Sequence, residues 1–151
     1  MVPVGLRDDA RCGEQRLRPM HMDQTPQEIA VDYADRWERA WNSLGASATA
    51  QLYAPDSVLV GAAIAAGRRE IERALAFIFS QGWQRISIKV VNARAVGGLV
   101  LVVSEFSATG SGPTAGKILH GKSTHALARV DDTWLSAMHT AINGAPTPLA
   151  T

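Results

Sequence analysis

Thr133-Trp134-Leu135-Ser136-Ala137-Met138-His139-Thr140-Ala141-Ile142 alternates at period two, with Leu135, Ala137, His139 and Ala141 on one face and Trp134, Ser136, Met138, Thr140 and Ile142 on the other. Both faces are mostly apolar. That predicts a strand inside a sheet rather than at its edge, and it places His139 among apolar neighbours instead of in bulk water. His139 is therefore the titratable group to follow.

The same period runs backward from this stretch. Lys117 to Val130 and the nearly all-apolar Leu99 to Ala108, broken by Glu105, read as strands. From Trp83 onward Ile86, Ile88 and Val90 alternate with Arg85, Ser87 and Lys89. Gly97-Gly98 and Asp131-Asp132 turn the chain between them, and residues 109 to 116 form a loose loop. Before Trp83 the spacing is helical. Thr25-Pro26-Gln27-Glu28 combines a cap, a first-turn proline and a capping-box carboxylate. Ile29, Tyr33, Trp37, Ala40, Trp41 and Leu44 then form one aromatic-rich stripe that stops at Gly45. A second short helix is expected over Ala46 to Tyr53 and a third over Arg68 to Ser80, with a brief strand pair from Ser57 to Gly67 between them. The order is α+β: three helices of the N-terminal half packed on one face of a strongly curved, mainly antiparallel mixed sheet.

The chain has 151 residues, enough for one core, and the division expected is a disordered leader over residues 1 to 23, a domain over 24 to 143 and a flexible tail over 144 to 151. Charged residues make up 19% and the net charge is +1, which argues against nucleic acid or an anionic membrane as partner. No apolar run approaches the length of a membrane span, and no signal peptide is visible; the expected location is cytoplasmic. Cys12 is the only cysteine, which excludes an internal disulfide or a thiolate zinc site within the chain. His120 and His125 have no third ligand at metal spacing, Gly110, Gly112 and Gly116 do not lead from a strand into a helix, and no dinucleotide fingerprint is present. Neither metal nor cofactor is expected.

Several phrases, taken in order, resemble the SnoaL-like and ketosteroid-isomerase-like superfamily, also called the nuclear transport factor two-like or cystatin-like cone, and within it the SgcJ/EcaC-type branch. They are Trp37-Glu38-Arg39-Ala40-Trp41-Asn42, Leu52-Tyr53-Ala54-Pro55-Asp56-Ser57-Val58, Gly67-Arg68-Arg69-Glu70-Ile71, Asp132-Thr133-Trp134 and Ala137-Met138-His139-Thr140. The resemblance implies a cone with a deep apolar cavity capped by the first helix, and a homodimer formed through the outer face of the sheet. It does not transfer the isomerase machinery. Gly61 stands where those enzymes carry their carboxylate base, Trp37 where they carry an oxyanion tyrosine, and Ala126 near their second oxyanion acid. The polyketide cyclases of the superfamily use a histidine and an acid inside the cone, and His139 matches in kind.

The candidate catalytic residues are therefore His139 with Glu105 or His125 as its partner, and the candidate ligand-binding residues are Tyr33, Trp37, Trp41, Trp83, Val60 and Phe79. Two readings stay open. One is a cofactor-independent enzyme that moves a proton on a small hydrophobic, aromatic or polyketide-like molecule, with a cyclase, isomerase or hydrolase type of reaction. The other is a ligand-binding or dimerisation module of the same fold, in which the aromatic stripe is plain core and His139 bonds only to backbone.

Overall fold

A computed structural model describes residues 24–150; the expected leader and Cys12 lie outside the described residues. The first helix, α1, spans Pro26–Leu44 and opens with the capping box read from the sequence: Glu28 N donates to Thr25 Oγ1 at 3.1 Å and Thr25 N donates to Glu28 Oε2 at 3.2 Å. Two unpaired helix-end amides are satisfied in this way. α2 is shorter than expected, Ala46–Ala50, and Tyr53 instead begins a strand, β1 (Tyr53–Val60). Pro55 accounts for the difference, because it disfavours helix at Ala54 and biases the chain to extended backbone.

β2 (Ile64–Ala66) pairs with β1, and α3 (Arg68–Ser80) follows through Gly67 at φ 86°, a left-handed conformation that glycine adopts without strain. The meander expected from period two is then present: β3 (Arg85–Val96), β4 (Leu99–Thr109), β5 (Lys117–Val130) and β6 (Thr133–Asn143). Spatial order is β2-β1-β6-β5-β4-β3, with β1 parallel to β6 and the other pairs antiparallel. β6 is internal, as its two apolar faces predict. Past Gly144 the chain does not simply trail away: β7 (Thr147–Pro148) pairs with β5 at Lys117 and Ile118, and Leu149 N donates to Gly116 O at 2.9 Å. The result is an α+β cone with a cystatin-like fold, its curled sheet left open and its hollow side covered by α1.

The resembling phrases are mostly the fastenings of this cone. Asn42 bonds both ways with Ile86 of β3, Nδ2 to O at 2.9 Å and N to Oδ1 at 2.8 Å, while Ile88 N donates to Glu38 Oε2 at 3.0 Å. Polar side chains of α1 thus complete the edge of β3 as another strand would. Arg68 donates Nε and a terminal nitrogen to the Tyr53 carbonyl, and Ala66 N donates to Glu70 Oε2 at 3.0 Å, tying α3 to β1 and β2.

Candidate functional site

Alternation along the strands decides what reaches the hollow. Val100, Val102 and Ser104 of β4, Ser123, His125 and Leu127 of β5, and His139 and Ala141 of β6 turn inward; Leu101, Val103 and Glu105 turn out. His125 and His139 are direct cross-strand partners, so their side chains rise from adjacent points of the same face. Their rings stack, with centroids 3.9 Å apart and planes 20° from parallel.

Over this pair lies a cavity of about 100 Å³. Trp37 and Trp41 of α1 stack at 5.3 Å to form its roof, and Tyr33, one turn earlier, meets His125 edge-on at 5.1 Å. Trp83 closes one side, and its carbonyl accepts from Trp41 Nε1 at 2.9 Å. The lining is chiefly apolar, with Ser104 and Ser123 as small polar points beside the imidazoles.

A buried polar chain supports the pair. Trp37 Nε1 donates to Tyr53 Oη at 3.1 Å, and Tyr53 Oη lies 2.7 Å from His139 Nδ1. On the other ring, His125 Nδ1 lies 2.9 Å from Ser136 Oγ, and Ser136 Oγ donates to Met138 O at 3.1 Å. Tyr33 Oη donates to the Leu52 carbonyl at 2.9 Å. Burial dominates the electrostatics. It pushes His139 from 6.5 down to about 3 and lowers His125 well below its usual range, the neighbouring His139 adding to the effect. Burial likewise raises both tyrosines, with Tyr53 adding to the effect on Tyr33. Both imidazoles are neutral at pH 7, and both phenols keep their protons.

Of the expected catalytic residues, the fold brings His139 and His125 together and sets Glu105 apart. Glu105 is exposed on the outer face, in register with Lys89 and Lys122, and cannot reach His139 through the sheet. Parity imposes this, because Ser104 beside it is buried. Of the expected ligand-binding residues, Tyr33, Trp37, Trp41 and Trp83 line the cavity. Val60 does not: its neighbour Leu59 turns in opposite His139, which sends Val60 to the outer face beside Thr140. Phe79 also lies behind the wall, edge-on to Trp41 at 5.3 Å and against Gly45, while Ile78 and Leu75 of the same helix line the space.

Tyr53 and Ser136, the hydrogen-bond partners of the two imidazoles, are absent from the residues singled out in the sequence. Tyr53 falls in what reads as helix. Ser136 falls on the wrong face under strict alternation, but β6 carries one extra residue: Met138 pairs with Ala126 and Ser136 with Leu127, so Ala137 is bulged and Ser136 rejoins the His139 side. Among the described residues, no group of three or more His, Cys, Asp or Glu is placed to hold a metal ion. No helix of the described residues is long and apolar enough to cross a membrane.

No family model matches the chain, and no curated protein matches it by sequence. Solved structures do match by shape. A ketosteroid isomerase-like protein from Erwinia carotovora atroseptica superposes with a TM-score of 0.68 at 16% identity, over 78% of this chain and 95% of that one. An NTF-2-like protein of unknown function from Shewanella oneidensis gives 0.65 at 18% identity, over 78% and 99%. A type 2 hexachlorocyclohexane dehydrochlorinase gives 0.64 at 12% identity, over 82% and 89%. At these identities the likeness is one of architecture, and the chain has the ketosteroid-isomerase-like, NTF2-like cone fold.

Proposed function

We propose that the protein binds a small, mainly apolar molecule of about one ring in the hollow of the cone, oriented by His125 and His139. The observation that carries this reading is the unfilled space of about 100 Å³ between the indoles of α1 and two neutral imidazoles. Protein interiors leave few voids larger than a water molecule. An apolar cavity of about 150 Å³ accepts benzene, so this one favours a single ring over a multi-ring polyketide or steroid. That a hexachlorocyclohexane dehydrochlorinase shares the fold supports a ring-sized occupant.

The test is a thermal-shift titration with benzene and phenol. Both stabilise the native chain, and Ala141→Phe, which fills the hollow from β6, abolishes the shift. Equal shifts in both chains, or none in either, overturn the reading.

Two imidazoles facing one cavity favour a second reading, a proton-transfer enzyme without cofactor. A ring held near 3 is a weak base, so His139 serves this chemistry better as a neutral group that polarises a carbonyl than as a store for the proton. Deuterium exchange at the α-carbons of cyclohexanone, followed by NMR, is faster with the native chain than with His139→Phe if this holds; equal rates exclude it.

The proposal extends to a homodimer through the outer sheet face. Leu101, Ala126 and Met138 form a row across β4, β5 and β6 with Val58 of β1, and Met138 and Ile142 are 49% and 69% exposed. An apolar row of this width on a sheet face supports burial against a second copy.

A further inference from the structure

The hydrogen bonds around the imidazoles constrain where each ring carries its proton. An indole N–H can only donate, so Trp37 occupies a lone pair of Tyr53 Oη. Tyr53 is fully buried, and among the described residues its hydroxyl proton has one other atom to meet, His139 Nδ1 at 2.7 Å. If His139 Nδ1 carried a proton, the Tyr53 hydroxyl would be left without an acceptor in a dry interior, an arrangement that folded proteins avoid. Nδ1 of His139 is therefore bare, and its proton is on Nε2.

On the neighbouring ring the logic runs the other way. Ser136 Oγ donates its single proton to the Met138 carbonyl at 3.1 Å. With that proton so placed, Ser136 Oγ accepts from His125 Nδ1, which carries the ring proton and leaves Nε2 bare. Both rings line the cavity. Neither Nε2 has a partner among the described residues, and neither is among the sealed unpartnered atoms there, which are Ser57 Oγ and Trp134 Nε1. Each of these two lining rings thus keeps one nitrogen, Nε2, without a partner among the described residues.

We infer that the stacked histidines are locked in opposite tautomers and present a donor and a bare acceptor side by side, selecting a neutral ring molecule with an acceptor and a donor on adjacent atoms, the pattern of a lactam. The inference rests on the cavity reading above and names the ligand class that reading leaves open. A carboxylate would set its charge against the lone pair of His125, and a hydrocarbon ring would leave both nitrogens unanswered. Neutrality of both rings, which burial enforces, preserves the asymmetry; two cationic rings would offer donors alone.

Two measurements decide it. Long-range proton–nitrogen NMR on the ¹⁵N-labelled native chain at pH 7 reads the tautomers without any ligand: a proton on Nε2 of His139 and on Nδ1 of His125 is expected, and the same tautomer in both rings overturns the inference. Titration with 2-pyridone, 3-methyl-2-pyridone and N-methyl-2-pyridone then tests the ligand class. The first two keep the adjacent N–H and C=O, and the third loses the donor at the same bulk as the second. Binding of the N–H compounds on the order of ten-fold tighter than the N-methyl compound is expected, since a site built for a polar group rejects the analogue that lacks it. Ser136→Ala, which frees the His125 proton to move, brings the ratio toward one; a ratio unchanged in this variant overturns the inference. Equal binding of all three pyridones to the native chain overturns the inference but leaves the cavity reading standing; no binding of any pyridone or of benzene overturns both.

Discussion

Acid should unfold this protein at a pH where most carboxylates are still ionised. His139 goes from 6.5 in an unfolded chain to about 3 in the fold, where the residue is 7% exposed. Because the folded value is depressed, the unfolded chain takes up a proton between those limits that the folded chain refuses. Stability is then complete above pH 6.5, declines as the pH falls, and levels off once the pH passes through the folded value. At about 1.36 kcal/mol per pH unit the loss from this ring alone is about 2 kcal/mol by pH 5 and approaches 5 kcal/mol near pH 3. His125, lowered by the same burial, adds in the same direction. The ion pairs Arg36–Asp32 and Arg129–Asp132 each have an exposed carboxylate and contribute little. Against a typical domain stability of about 5–15 kcal/mol, the effect is large. Urea unfolding followed by tryptophan fluorescence at pH 7.5, 6 and 5 measures it, and His139→Phe should flatten the pH slope by about one proton's worth. A stability unchanged from pH 7.5 to pH 5, or an identical slope in His139→Phe, would refute the placement of this ring in a dry interior.

Three further outcomes follow from the packing. Leu127→Ala removes a side chain with no exposure beneath the histidines and should cost about 2–5 kcal/mol in chemical denaturation, with a collapse of the supporting wall visible as weaker ligand stabilisation. Gly121→Ala would set a Cβ within 2.3 Å of Phe106 Cζ and 2.8 Å of the Ile142 carbonyl, so the ring at the cavity rim must shift; a loss of about 1–3 kcal/mol by urea titration is expected. The double substitution Leu101→Lys and Met138→Lys puts two charges on the apolar row without touching the hollow; sedimentation should show a dimer become a monomer at unchanged far-ultraviolet circular dichroism.

Much of this architecture is legible in periodicity, because a sheet with one face on a core writes its alternation into the sequence. His139 and its place on an internal strand follow from that alone. Glu105 shows where the method stops. β4 is apolar on both faces, Leu101 and Val103 outside as well as Val100 and Val102 inside, so no contrast marks which parity is buried. Ser136 was hidden by a single bulge, since period two assumes an uninterrupted ladder. Val60 and Phe79 illustrate the same sensitivity on a strand and on a helix: one residue turns a side chain through half a circle in the first case and about 100° in the second, enough to exchange cavity for outer face or outer wall. The binding partners of the imidazoles depend on contacts across 86 and 11 positions of sequence, distances over which no local pattern carries information.

The bonds that fasten α1 also dictate traffic. Asn42 and Glu38 moor one flank of that helix to β3, while Arg36 donates to the Trp134 carbonyl at 2.9 Å and Tyr33 holds Leu52 on the other. With the lid held on both flanks, the exposed residues of the lining, Ile78 and Asn143, mark the doorway for a guest. Residence time in the hollow is then governed by side-chain rotation at that threshold, and enlarging the doorway should hasten departure and arrival alike while leaving the affinity nearly constant.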